Sequence, residues 1–224
     1  MLDEKNLNYL KKSLTFWDKL TSLEQNKIIE NTKNISFSKG DNIYSPTKKC
    51  LGITLIKKGE LRVYMLSKEG KEVTLYRLKD NDICMLTSSC ILEEITFDIY
   101  IDCEKNTEAL ILNSLGFYDL ISKNVYIEKF ILKYTIDKFS KVIWSIEQIL
   151  FMKFDTRLAI FLLNECNTLN TDEIKITHEQ IAKYVGSARE VVSRMLKYFE
   201  QENIVKLARG TIKIINKEKL KELV

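Results

Sequence analysis

Residues 177–199 read THEQIAKYVGSAREVVSRMLKYF, and the spacing of their apolar side chains decides the C-terminal fold. Ile181, Ala182 and Val185 make the apolar edge of one helix, and Gly186 stops it. Val191, Val192, Met195, Leu196 and Phe199 then supply the buried stripe of a second helix. A small residue at Ala182 lets the two helices approach closely, and glycine provides the backbone freedom for a tight turn between them. The pattern predicts a helix-turn-helix. Thr177 with Gln180, and Ser187 with Glu190, have capping-box spacing at the two helix starts.

The second helix turns Arg189, Glu190, Ser193, Arg194 and Lys197 outward. Arginine bonds a guanine edge bidentately, glutamate accepts from cytosine N4, and serine reaches a base or a phosphate. Arg189, Glu190, Ser193 and Arg194 are therefore candidate base readers, in the first two turns, where a recognition helix enters the major groove. Thr177, His178, Ser187 and Lys197 are candidate contacts to the DNA backbone. A solvated charged surface accounts for Lys197 as well as DNA does, but it accounts less well for a glycine-stopped helix pair flanked by caps. Residues 204–207, then Ala208-Arg209-Gly210, then 211–215 predict a hairpin with a basic turn, the wing of a winged helix, with Arg209 or Lys206 meeting a phosphate. From Thr171 onward there are 11 basic and 8 acidic residues, a surplus of 3 within a net charge of +4 for the whole chain.

Upstream, residues 125–153 lack glycine and proline, and apolar residues fall at Leu132, Ile136, Phe139, Ile143, Ile146 and Leu150. This 4-3-4-3-4 rhythm predicts a helix of about 28 residues, roughly 40 Å long, with a heptad-like seam. Either the seam packs only on its own core or it meets a twin helix, and its length with further apolar groups on neighbouring faces favours a homodimer. Residues 34–115 have another texture, with short β-prone runs at 35–37, 53–56, 61–66, 73–78, 96–101 and 109–113. Turns are expected at Gly40, Gly59 and Gly70, with Gly52 also in this stretch, which predicts an antiparallel jelly-roll barrel. Two short helices precede it, the second starting at Thr21 or Ser22, with Leu14, Trp17, Leu20, Leu23, Ile28 and Ile29 as their apolar pattern. A short helix and turn is expected at 116–124, a helix at 157–163 and a polar connection at 164–171. The fold class is α+β, divided as 1–124 (barrel with N-terminal helices), 125–154 (dimerisation helix) and 155–224 (winged helix-turn-helix).

Composition excludes more than it suggests. The 224 residues are 45% apolar and contain a single histidine, so a multi-histidine metal centre within one chain is impossible. A barrel enzyme of the cupin kind fails on that ligand count, and no catalytic residues are expected. The start, MLDEKNLNYLKK, lacks the features of a signal peptide, and no apolar run approaches the roughly 18 residues that span a bilayer. The expectation is a cytoplasmic protein without a membrane partner. Five irregularly spaced cysteines argue against structural disulfides. A ligand-binding module whose helix-turn-helix is only a scaffold is the competing reading, and it predicts no salt-dependent binding to duplex DNA.

The chain resembles the Crp/Fnr transcription regulators over nearly its whole length. The resemblance is carried by the short N-terminal helices, the turns Lys39-Gly40 and Gly59-Glu60-Leu61-Arg62-Val63, the long helix, and above all residues 176–205, ITHEQIAKYVGSAREVVSRMLKYFEQENIV. It implies that Glu190, Ser193 and Arg194 match the base-reading set of the Fnr branch and that Arg189 stands where the Crp branch contacts guanine. It further implies a palindromic site with TTGA- or TGTGA-like half-sites, and RNA polymerase as a partner. Ala188 departs from the family, whose members often cap the recognition helix with serine or threonine, and His178 stands where some members use arginine against phosphate.

Cyclic-nucleotide members hold the phosphate with a Gly-Glu turn and an Arg-Ser pair, because a guanidinium fork matches two phosphate oxygens. Here the corresponding region has no arginine between Leu78 and Asp155 and carries Glu93, Glu94 and Asp98, so cyclic AMP is not expected. The effector, a small molecule or a redox signal, is left open. Tyr64, Tyr76, Met85 and the facing helix are expected to line any ligand pocket. Cys84, Cys90 and Cys103, with Cys50 on an earlier strand, are candidates for an iron-sulfur cluster or for oxidant sensing, the alternative being that they are small buried hydrophobes. The Fnr branch carries a compact N-terminal cysteine cluster, which this chain lacks.

Overall fold

The computed structural model describes residues 2–48, 51–85, 98–113, 117, 120–121 and 123–224. The chain divides into two compact units, Met1–Leu66 with Leu75–Val142, and Ser67–Thr74 with Ile143–Val224.

In the first unit, α1 (Glu4–Ser13) is capped by Asp3, whose carboxylate accepts the Asn6 N–H at 2.7 Å. A single 3-10 turn (Trp17–Lys19) follows, and α2 (Ser22–Glu30) starts where its sequence predicts, with Thr21 as N-cap in a capping box with Glu24. Leu10, Leu14, Trp17, Leu20 and Ile28 turn into one apolar cluster with Leu55, Leu110 and Leu112 of the sheet. Leu23, read as part of the same pattern, instead lies 84% exposed in the first turn of α2.

The sheet contains β1 (Thr32–Phe37), β2 (Asn42–Tyr44), β3 (Ile53–Leu66), β4 (Glu72–Leu78), β5 (Ile83–Cys84) and β6 (Tyr100–Leu112). Its order is β1-β6-β3-β4, with β2 on β6 and β5 on β3, and the described pairings to β6 and β5 are antiparallel. The runs 53–56 and 61–66 are one strand rather than two joined by a turn. Register shifts between Ile56 and Leu61 mark a bulge, with Gly59 at φ +124°. A Cβ at Gly59 would lie 2.2 Å from Thr107 Oγ1, so β6 approaches the bulge too closely for any other residue. β6 is likewise continuous through 109–112, while Thr96 and Phe97 fall outside the described residues. Phe117, Leu120 and Ile121 have helical backbone within the stretch read as a short helix and turn.

Behind the apolar interior of β3 and β6 lies a charged network. Arg62 is 2% exposed, 3.5 Å from Asp102 and 3.1 Å from Glu104, with its guanidinium 4.0 Å above the Tyr64 ring. Buried Glu60 pairs with Arg77 at 3.1 Å and Lys105 at 2.6 Å. Every one of these ions has an opposite charge within reach, which is the condition for burying it.

The helix α3 (Val125–Phe151) rests one side on this unit: Ile127 is buried, and the Tyr134 hydroxyl donates to Ile83 O at 2.6 Å while accepting from Ile83 N at 2.7 Å. Lys138 places its ammonium 4.6 Å from the Tyr134 ring centre, 5.7 Å from that of Tyr76 and 3.7 Å from the Asp82 carboxylate. Burial pushes both phenols far above their ordinary range and pulls the ammonium down. On the other side, Leu132, Ile136, Phe139, Ile143, Ile146 and Leu150 are 42–66% exposed.

The second unit holds α4 (Phe154–Leu169), β7 (Glu173–Lys175), α5 (His178–Val185), α6 (Arg189–Gln201), β8 (Val205–Ala208), β9 (Thr211–Ile214) and α7 (Lys217–Lys221). α4 runs through Asn164, where a polar connection is expected, and ends at Asn170 in the left-handed conformation, φ 50°. Leu158, Leu162 and Cys166 continue its buried stripe at four-residue spacing, which holds the polar turn helical. The sheet order is β7-β9-β8.

Candidate nucleic-acid interface

The α5–turn–α6 geometry follows from its termini. At the start of α5, Gln180 N–H donates to Thr177 Oγ1 at 3.2 Å while Thr177 N–H donates to Gln180 Oε1 at 3.0 Å, completing the expected capping box. Gly186 ends the helix at φ 63°, and Ser187 N–H closes the turn on Ala182 O at 2.9 Å. The second capping box does not form. Ala188, not Ser187, is the N-cap of α6, and it has no side chain to accept a helix N–H.

Ile181, Ala182 and Val185 of α5 meet Val192, Leu196 and Phe199 of α6 in one core with Leu158, Leu162 and Ile212. Each of the larger of these side chains, withdrawn from water, contributes about 1.5–3 kcal/mol, so the angle between the helices is fixed by packing. Arg157, which the sequence reading did not single out, donates through Nη1 to Val185 O at 3.1 Å and secures the end of α5. The free carbonyls of a helix end announce the need for such a donor, but the donor lies 28 residues away in sequence and is named only by the tertiary fold.

This packing leaves Arg189, Glu190, Arg194 and Lys197 exposed. Together with Ser193 they span about 140° of the α6 surface, at about 100° per residue. Ser193 is half-buried, with its Oγ 2.8 Å from Nδ1 of His178. Burial first, and the charge of Arg189 second, hold the His178 imidazole below its usual pKa. Thr177 is exposed and Ser187 partly so. β8 and β9 pair from Val205↔Ile214 to Ala208↔Thr211, which leaves Arg209 and Gly210 as a two-residue turn. Arg209 and Lys206 are exposed on this hairpin, and Gly210 has φ 71°.

The candidate sensing residues are more dispersed. Cys84 and Cys103 are buried in a second apolar cluster of the first unit, with Ile56, Val63 and Leu75, while Cys50 and Cys90 lie outside the described residues. The Cys103 thiol lies 2.8 Å from Lys105 O and 3.3 Å from Thr107 Oγ1, and burial pushes its pKa up. Among the described residues no group of three or more His, Cys, Asp or Glu side chains is arranged to hold a metal. Glu93 and Glu94 also lie outside the described residues. Among the described residues no helix is long and apolar enough to cross a membrane.

A family model for Crp-like helix-turn-helix domains matches residues 156–223. The chain is 39% identical to a candidate transcriptional regulator of the Crp/Fnr family from Eubacterium rectale, covering 95% of this chain and 98% of that one, with a TM-score of 0.91. It has the fold of a CooA variant from Carboxydothermus hydrogenoformans (22% identity, 99% and 97% covered, TM-score 0.67). It also has the fold of the Crp/Fnr regulator TTHA1359 from Thermus thermophilus (19% identity, 85% and 97% covered, TM-score 0.69). No curated protein sequence matches it significantly.

Proposed function

The chain belongs to the Crp/Fnr family of transcription regulators, and on that premise we propose that it is a cytoplasmic homodimer that reads a palindromic promoter site through α6. The observation that carries this reading is the exposed row Arg189, Glu190, Arg194 and Lys197, with Ser193 among them, on a helix whose opposite side is locked into a core. Arg189 and Arg194 offer forks to guanine, Glu190 accepts from cytosine, and TTGA- or TGTGA-like half-sites present these partners. Thr177, His178, Ser187, Lys197 and the wing residue Arg209 meet phosphates and set the register. The seam Leu132 to Leu150 pairs two copies, and a two-fold protein suits a two-fold site.

The working division is a sensing part (1–124), a dimer helix (125–154) and a DNA-binding part (155–224). The sensing part biases the DNA-binding parts through the helix and so governs engagement with RNA polymerase. Its effector is something other than cyclic AMP: Arg62 and Arg77, guanidinium groups of this unit, already face Asp102, Glu104 and Glu60. The committed Cys103 thiol favours a packing role over oxidant sensing.

The test is retardation of a palindromic promoter fragment by a variant carrying Glu190→Ala and Arg194→Ala. Specific retardation is expected to disappear, while weak salt-sensitive binding to any duplex persists. Unchanged specific binding would overturn the assigned readout.

A further inference from the structure

The lone histidine joins the two helices of the DNA-facing motif. His178 opens α5, Ser193 sits in the second turn of α6, and Nδ1 and Oγ are 2.8 Å apart. A hydroxyl has one hydrogen and two lone pairs, whereas Nδ1 either accepts or donates according to the state of the ring. When a neutral ring carries its hydrogen on Nε2, Nδ1 takes the Ser193 hydrogen, and the hydroxyl shows only lone pairs to the outside. When the ring is protonated, Nδ1–H donates to Oγ and the serine hydrogen is released outward. Base edges differ in this same property: thymine O4 and guanine O6 and N7 accept, while cytosine N4 and adenine N6 donate. Protonation of one imidazole thus reverses what Ser193 offers to a base.

We propose that His178 is a specificity-determining positioning residue, which through Ser193 couples its own protonation to base selection and makes DNA recognition proton-linked. The proposal rests on α6 being the base-reading helix.

The sign of the linkage follows from the surroundings of the ring. Arg189 of α6 is the charged group acting on it, and with burial it keeps the ring mainly neutral in the free protein near pH 7. Glu179, the next residue of α5, is exposed to solvent. A DNA phosphate at the start of α5 adds negative charge and raises the pKa in the complex. The bound pKa then lies above the free one, so affinity is greatest below the free pKa and declines as pH rises through the bound pKa.

Because the chain has one histidine, its imidazole proton resonance is unambiguous and reports the free pKa directly. Binding to a palindromic duplex and to its single-base variants, followed by fluorescence anisotropy between about pH 5 and pH 8, reads the coupling. For the wild-type dimer, affinity should fall with rising pH by up to about a hundredfold per unit, the limit for two linked protons, one from each protomer. Its preference at the base facing Ser193 should move from acceptor-bearing to donor-bearing edges. In His178→Asn the side-chain amide keeps a hydrogen-bonding group but does not titrate, so both dependences should flatten. In Ser193→Ala the affinity slope should persist while the preference no longer changes with pH.

A wild-type preference that does not change with pH overturns the proposal, and this outcome requires no variant to fold. Equal pH slopes in the wild type and His178→Asn overturn it as well. Failure to bind any palindromic duplex specifically at any pH instead overturns the reading of α6, and the proposal with it.

Discussion

Ala188 stands at the N-cap of α6 in extended backbone, φ −86° and ψ 146°, the conformation from which a serine or aspartate would accept a helix N–H. The first turn therefore begins without that bond. Ala188→Ser is predicted to stabilise the second unit by about 1 kcal/mol, read as a higher denaturation midpoint at unchanged slope. An unaltered midpoint would mean that solvent already serves those N–H groups equally well. Position 188 is the one place in the motif where local chemistry and spacing disagree. Ser187 and Glu190 stand three apart, as a capping box requires, yet Ser187 N–H is spent on Ala182 O in closing the turn. Spacing alone does not reveal which residue of a tight turn adopts cap geometry, because the turn's own hydrogen bonds decide it. The His178–Ser193 bond was hidden for a similar reason: its partners are 15 residues apart on different helices.

At the level of elements, α3 is the test piece. Phe139 is 63% exposed within the seam, and two such rings lost from a paired surface amount to roughly 3 kcal/mol, or about a hundredfold in dissociation constant. Phe139→Glu is accordingly predicted to halve the mass seen by light scattering while helical circular dichroism persists. A variant that keeps the wild-type mass would show that the seam does not pair. The helix, the winged motif and the antiparallel sheet were legible because each rests on local periodicity, capping or turn residues: the 4-3-4-3-4 rhythm, Thr177 with Gln180, and the turns at Gly40 and Gly70. What was misread rests on tertiary contact. Gly59 serves a bulge rather than a turn, since both use glycine at positive φ and only the proximity of Thr107 distinguishes them. Asn164 lies inside α4 because Leu162 and Cys166 are buried around it, against the polar character of the stretch. Of the candidate interface, the residue types and the helix that presents them could be read, whereas the support from Arg157 could not.

For the whole molecule, the charge surplus of the last 54 residues and the apolar seam bear on one another: in the proposed dimer, association doubles the number of cationic surfaces available to a duplex. Each phosphate neutralised should contribute about −0.9 to the slope of log affinity against log salt, so a dimer should show twice the slope of a monomeric variant. The chain has two tryptophans, and the fold places them in opposite circumstances. Trp17 is 6% exposed in the core of the first unit, while Trp144, on α3 beside the seam, is 47% exposed. The protein therefore carries a built-in optical gauge. In Trp17→Phe, the remaining indole is predicted to emit at shorter wavelength when concentrated and to shift to the red on dilution, tracing the dissociation curve without a label. An emission maximum independent of concentration would place Trp144 in water in every state of assembly.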